Sequence, residues 1–399
     1  MAKNVSQKQN SQQDSAVALV DKYNGFFNEI NSIFYEREWE VNQIKIAILM
    51  KEHVLLKGVP GTAKSMLALK ILNGIEGANV YKNQFTRMQD DSYVFGPQLL
   101  EEFKKGKIVH NVEGTLVTAD FGFLDEFFNA SEETLVSTLE ILNERTFTRP
   151  FQKLQCPLIT AIMTTNQDRE NEKELRAVYD RIIFKSEVRD IVDSSKRVEM
   201  YKNFLSGKIE NTQPKISFND VKAVIDLFDN FDVNFSSGLF VVFDKIISDY
   251  ENQMACRVSP RKRNKLLKLV KAVAFLRGDK TIFLDDLGCL KFGLVEGGDI
   301  KGMGYFDSIF VKIKQAFANY EVVQKMEVLL ESAKNNPNKT DAYKISLGIV
   351  KKCEKFINEV SNDSSVSDII VPMVESLKSR AEKLYESLKD SISDEDIFK

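Results

Sequence analysis

Residues 58–65 read Gly58-Val59-Pro60-Gly61-Thr62-Ala63-Lys64-Ser65 and follow directly on the apolar run His53-Val54-Leu55-Leu56-Lys57. A short strand entering a glycine-rich turn and then a helix leaves few choices of fold. The turn has to present free backbone N–H groups at the helix N-terminus. Those groups cradle phosphates, the Lys64 ammonium reaches the outer ones, and the Ser65 hydroxyl can hold Mg²⁺. Gly58, Pro60, Gly61, Thr62, Ala63, Lys64, Ser65 and Met66 are therefore the candidate binding set for a nucleoside triphosphate. Position 63 is Ala where such loops usually carry Gly. Because Ala disfavours positive φ, the loop is expected to enter its helix without a left-handed residue there.

A second element is Phe121-Gly122-Phe123-Leu124-Asp125-Glu126. An apolar strand ending in two carboxylates puts Asp125 at the C-terminal edge of a sheet, beside the phosphate loop. Asp125 can then hold Mg²⁺ or its waters, and Glu126 can orient and deprotonate the attacking water. A third β-rich run, Leu158–Thr165, ends on Asn166. An amide at that strand end can sense the terminal phosphate. A fourth element, Leu175–Ile182, carries Arg176 and Arg181 after the strands. An arginine there can reach a neighbouring subunit's nucleotide. A fifth, Val258-Ser259-Pro260-Arg261-Lys262-Arg263, opens a helix.

In this order the elements resemble an AAA+ ATPase of the MoxR family, most of all its RavA branch. Further matching pieces are Phe34-Tyr35-Glu36-Arg37-Glu38, Thr86-Arg87, Val94-Phe95-Gly96-Pro97, Asn143-Glu144-Arg145-Thr146-Phe147 and Val178-Tyr179-Asp180-Arg181. The resemblance covers approximately residues 20–300. It implies ATP and Mg²⁺ as ligands, with Ser65 and Asp125 on the metal side, Glu126 on the water side and Asn166 as first sensor. It makes Arg181 the finger acting in trans, with Arg176 as its rival, and Arg261 the second sensor on a lid. Tyr35 and Arg37 would flank the adenine. The implied assembly is a hexameric ring that remodels or matures client proteins with a von Willebrand factor A domain partner. An ATP-gated scaffold with little turnover and a nucleic-acid motor are the other readings open at this point.

The chain of 399 residues has 43% hydrophobic and 28% charged residues, enough for two or three ordinary folded domains. Its net charge of −3 offers nucleic acid no general electrostatic footprint. Four scattered cysteines fit a reducing cytoplasm, and no run approaches the ~20 apolar residues of a membrane span.

The predicted fold class is α/β: an AAA+ P-loop parallel sheet core, a small all-helical lid and a C-terminal helical extension. Residues 1–16 read as a disordered tail, 17–190 as the nucleotide-binding core, 191–299 as the lid and 300–399 as the extension. Val17–Leu49 is expected to be helical. Two hairpins are expected as insertions in the core, one over Gly106–Val117 and one over Thr146–Pro157. Three apolar stripes at helical spacing, over Phe306–Val323, Ile345–Val360 and Val366–Leu388, predict three amphipathic helices at the end.

Overall fold

Strand β1 (Val54–Lys57) is buried at all four positions because it lies inside a parallel sheet. The computed structural model describes residues 2–167, 175–207, 212–360 and 364–389; in some stretches, among them residues 2–14 and Arg176, only the backbone is described. The short pair β2 (Ile75–Glu76) precedes β3 (Val80–Gln84) and β4 (Phe121–Asp125). Then come β5 (Thr146–Arg149), β6 (Gln152–Gln155), β7 (Thr160–Thr165), β8 (Phe184–Glu187) and the two-residue β9 (Ile216–Ser217). The main sheet has the order β3-β4-β7-β1-β8, all parallel. Strands covered on both faces must be apolar throughout rather than alternating, and Phe121–Leu124 and Thr160–Thr165 are buried accordingly. This order sets β7 between the strand that feeds the phosphate loop and the strand that carries the two acids. Register fixes the height: Leu56 pairs with Thr164, and Leu124 with Met163.

The chain divides into two compact units. The first comprises residues 1–240 and 254–303 and holds the whole sheet. Its helices Lys64–Gly74 and Glu132–Glu144 flank the strands, and Phe85, Phe127, Phe128, Leu135 and Phe147 fill the core beside them. The second comprises residues 241–253 and 304–399. There the helices Lys339–Val360 and Ser364–Lys389 enclose Ile349, Cys353, Val374, Leu377 and Ala381 together with Val323, Met326 and Leu330 of the helix Ile300–Lys334. Arg380 ties that helix down through Glu327 at 3.0 Å and Glu331 at 3.2 Å.

Several expectations need correction. One helix over Val17–Leu49 is in fact two, Ala2–Ile33 and Glu38–Met50. The break falls at Glu36, whose φ is +54° and whose carboxylate accepts the N–H groups of Val192 and Asp193, each at 2.8 Å. Residues 2–16, read as disordered, have helical backbone continuous with the first of these helices. The hairpin placed over Gly106–Val117 does not form. Residues 109–111 pair backward instead, with Leu99 N–H on Val109 O (2.8 Å) and Asn111 N–H on Pro97 O (2.8 Å). The pairing presses Gly96 (φ +88°) so closely on the chain that a Cβ there would stand 1.7 Å from Asn111 O. The second hairpin is present as β5 and β6, with Thr146 opposite Gln155. Among the described residues of 191–299 the regular elements are helices, apart from β9, which pairs in parallel with β2, and an isolated bridge between Asn234 and Thr281. Lys22–Asp220 (2.5 Å) and Lys51–Asp229 (2.6 Å) join the helix Phe218–Asp229 to the N-terminal helices.

Candidate active site

The C-terminal ends of β1, β4 and β7 bring Lys64, Ser65, Asp125, Glu126 and Asn166 into one cluster. Gly58 leaves β1 with φ +146°, and a Cβ there would meet Val188 O at 2.4 Å, so only glycine fits the exit. Gly61, at φ +90°, has open space around it. Thr62 Oγ1 donates to Val59 O at 3.0 Å and closes the turn. Ala63 then takes φ +64°, ψ +21°. This overturns the expectation of a right-handed entry. The main chain on both sides is fixed, by β1 before it and by the helix Lys64–Gly74 after it, and the turn between them demands a left-handed residue whatever its side chain. The strain is of order 1–2 kcal/mol.

The helices beginning after Ser131, Asp193, Ser217 and Ser259 each have a side-chain cap. The helix Lys64–Gly74 has none. Its first N–H groups are thus left for an outside acceptor, and the helix dipole favours an anionic one. Pro60 and Gly61 are exposed, as are Val59 and Met66 at the mouth.

Lys64 is buried to 6% exposure. Its ammonium donates to Gly58 O (2.7 Å), Val59 O (2.8 Å) and Asn166 Oδ1 (3.0 Å). Burial lowers its pKa, and the charges of Glu126 and Asp125 oppose that shift. Asp125 Oδ1 accepts Ser65 Oγ at 3.2 Å and also the Thr164 hydroxyl. Glu126, one residue beyond β4, is left-handed at φ +53°. Its N–H rests on Thr164 Oγ1 at 3.2 Å. Its carboxylate accepts the Asn166 N–H at 3.2 Å and the Asn166 side-chain amide. Adjacent acids therefore point to different partners, as separate metal-side and water-side tasks require.

These residues fit a nucleotide with Mg²⁺. Lys64 rests on loop carbonyls that phosphate oxygens can replace, and Ser65 with Asp125 offers the hard oxygens that Mg²⁺ takes alongside phosphate and water. Among the described residues no cluster of three or more His, Cys, Asp or Glu exists that would suit a different metal.

The other predicted site residues stand outside this cluster of five. Tyr35 OH accepts the Asn203 amide. Arg37 is buried and donates to Glu36 O (2.7 Å), Thr62 O (3.3 Å) and Arg189 O (2.6 Å), so it clamps the phosphate loop to the segment after β8. Arg181 ends its helix three residues before β8, at the opposite edge of the sheet. Lys265 fixes that position, bonding both Arg181 O (2.9 Å) and Glu52 (2.6 Å), just ahead of β1. Arg261 sits one turn earlier on the same helix, Pro260–Arg277. The side chain of Arg176 lies outside the described residues. Sequence reasoning missed Thr164; the signal available was its position two residues before Asn166, on the same face of the strand.

A phosphate loop, a strand-end acid pair and a sensor strand inserted between them define the nucleotide site of an AAA+ ATPase. Residues 21–226 match the family described as the MoxR domain in the MoxR-vWA-beta-propeller ternary systems. An uncharacterized protein of Methanocaldococcus jannaschii is 31% identical, covering 93% of this chain and 96% of its own. The chaperone MoxR1 of Mycobacterium tuberculosis is 28% identical over 40% of this chain and 42% of its own. A crystal structure of a Cytophaga hutchinsonii protein assigned as an ATPase shares the fold with a TM-score of 0.59 at 18% identity, covering 77% of this chain and 98% of that one. The chain belongs to the MoxR family of AAA+ ATPases. Likeness to the RavA branch in particular rests on the sequence motifs alone.

Proposed function

We propose that this protein hydrolyses ATP with Mg²⁺ in a ring of its own copies, a hexamer, and uses the cycle to remodel a client protein. The carrying observation is the convergence of Lys64, Ser65, Asp125, Glu126 and Asn166 at the ends of three adjacent strands. In this reading Lys64 and the loop N–H groups bind phosphates, and Ser65 and Asp125 hold Mg²⁺, which neutralises charge on the phosphate oxygens. Glu126 takes the proton of the attacking water and Asn166 positions it. Tyr35 flanks the base, while Arg37 holds the loop that the phosphates meet.

The placement of Arg181 supports assembly. Its main chain stands beside the beginning of β1, whereas the phosphate loop leaves the end of that strand, about 13 Å away at strand rise. Its guanidinium therefore serves a neighbour's nucleotide, while Arg261, at the start of the helix Pro260–Arg277, is assigned as the second sensor of the lid. The family description names von Willebrand factor A systems, and one relative is named a chaperone; both support a partner of that type and a protein client. A cytoplasmic setting accords with cysteines that form no disulfide among the described residues. No helix among the described residues is long and apolar enough to cross a membrane. We further propose that residues 17–190 act as the nucleotide-binding core, 191–299 as its lid and 300–399 as an extension.

Separate measurements of ATP affinity and turnover test the assignment. Lys64→Ala should lose about 10- to 100-fold in affinity. Glu126→Gln should keep affinity and lose about 100-fold or more in turnover. Normal hydrolysis by the Glu126→Gln protein would remove Glu126 from its role.

A further inference from the structure

Thr164 lies in the middle strand of the sheet and is fully buried. A hydroxyl has one proton and two lone pairs, and the geometry assigns them here. The proton goes to Asp125 Oδ1, and a lone pair receives the Glu126 N–H at 3.2 Å. The other threonines at the two ends of β7 behave differently: Thr160 donates to Ala47 O at 3.3 Å and Thr165 to Gln167 O at 3.0 Å. Those are main-chain bonds of ordinary packing. Thr164 joins the two acids.

The join has a physical need. Glu126 is a non-glycine residue at φ +53°, a conformation that persists only where the surroundings over-determine it. Its carboxylate meets Asn166, while that of Asp125 meets Ser65 and Thr164. A carboxylate accepting a hydroxyl proton also makes that hydroxyl a better acceptor for the next N–H in the chain. Ser65 approaches the same Asp125 oxygen from the phosphate loop, so one oxygen collects the loop, the sensor strand and the acid strand.

We infer that Thr164 is a positioning residue, which fixes Asp125 toward the metal and Glu126 toward the water through a single hydroxyl. The inference rests on the ATPase reading above. Removing an outer group that orients a metal-side carboxylate typically costs 10- to 100-fold in metal affinity or rate. The decisive comparison is Thr164→Val, which keeps the shape and loses the hydroxyl, against Thr164→Ser, which keeps the hydroxyl.

Fluorescent-ATP binding with and without Mg²⁺, and turnover against Mg²⁺ concentration, should be measured on the full chain. For Thr164→Val, metal-free nucleotide affinity is expected within about twofold of wild type. Its half-saturating Mg²⁺ should rise about tenfold, and kcat should fall about tenfold or more with little change in KM. Thr164→Ser should recover both to within about threefold. A merely structural threonine would lower the melting temperature and leave the Mg²⁺ curve in place, and that result overturns the inference. Should the valine protein not fold, Thr164→Cys, a poor donor of similar size, takes its place. A tenfold shift in Thr164→Ser alone would also overturn it. Wild-type protein with no Mg²⁺-dependent nucleotide binding would instead strike the ATPase reading and take this inference with it.

Discussion

Asn166 grips Glu126 twice, through its backbone N–H at 3.2 Å and through its side-chain amide. The same amide turns its oxygen to Lys64 at 3.0 Å. Asn166 thus bridges an ammonium and a carboxylate, and this fixes which way its amide faces. In the proposed mechanism, the residue assigned to sense phosphate is thus bonded both to the acid assigned to the water and to the cation assigned to the outer phosphates.

Asn166→Asp should expose this arrangement. The change is isosteric, yet it sets a second carboxylate against Glu126 and a competing anion on Lys64. Nucleotide affinity is expected to fall about tenfold or more, further than in Asn166→Ala, which removes the bridge without adding charge. Calorimetric titration of both variants checks the order. An aspartate protein that binds as well as the alanine one would show that Lys64 does not depend on this bridge.

Ala63 predicts an inverted glycine effect. At φ +64° an alanine is strained, whereas glycine is not. Ala63→Gly should raise stability slightly, by about 0.5 kcal/mol once the looser unfolded chain is counted. Ala68→Gly, at a buried position of the following helix Lys64–Gly74, should lower it by about 1 kcal/mol or more. Urea unfolding of the pair tests the sign. Equal losses at both positions would mean that Ala63 is not left-handed in solution.

Much of this was legible in the sequence, and the failures have a common cause. The phosphate loop, the Asp125–Glu126 strand end and the Asn166 strand were readable because each is a local pattern with a fixed neighbour. Ala63 departs from its propensity because the turn between β1 and the following helix overrides it. The break at Glu36 was unreadable because its partners, Val192 and Asp193, lie 156 and 157 residues further on. The Gly106–Val117 segment carries a hairpin pattern, yet its real partner, the bridge at Gln98 to His110, lies before it and looks like loop. The division that assigns residues 241–253 to the C-terminal unit also has no local signal.

His53 gives a pH dependence. It is buried ahead of β1; its Nδ1 accepts the Ala161 N–H at 2.9 Å and its Nε2 meets Leu142 O at 2.6 Å. Burial holds its pKa well below the ordinary value, and the charge of Arg145 at 2.7 Å adds to this. Arg145 is itself pushed down to about 10 by burial. His53 is therefore neutral in the folded protein while the unfolded chain takes up a proton below about pH 6.5. The folded pKa lies below the unfolded one, so stability is intact above about pH 6.5 and falls as pH drops toward the folded value. The expected slope from this group is about 1.4 kcal/mol per pH unit. Denaturant midpoints between pH 7.5 and 5.5 for wild type and His53→Gln should differ by that slope. Parallel profiles would mean that His53 is protonated in the fold.

Arg181 allows a test of assembly through complementation. Its main chain stands with Glu52 at the start of β1, across the sheet from the loop it would otherwise have to serve. Arg181→Ala should keep nucleotide affinity and lose about 100-fold or more in turnover, because its charge is needed chiefly in the transition state. Glu126→Gln is expected to be inactive for a different reason. Mixed before nucleotide is added, the two inactive proteins should regain activity. In a ring assembled at random from equal parts, roughly one interface in four pairs an intact Glu126 with an intact Arg181 from the neighbour. Recovery near a quarter of the wild-type rate is therefore the expected result. No recovery, with mixed rings demonstrated by pull-down of a tag on one parent, would place both residues in the same chain's site or move the finger to Arg176.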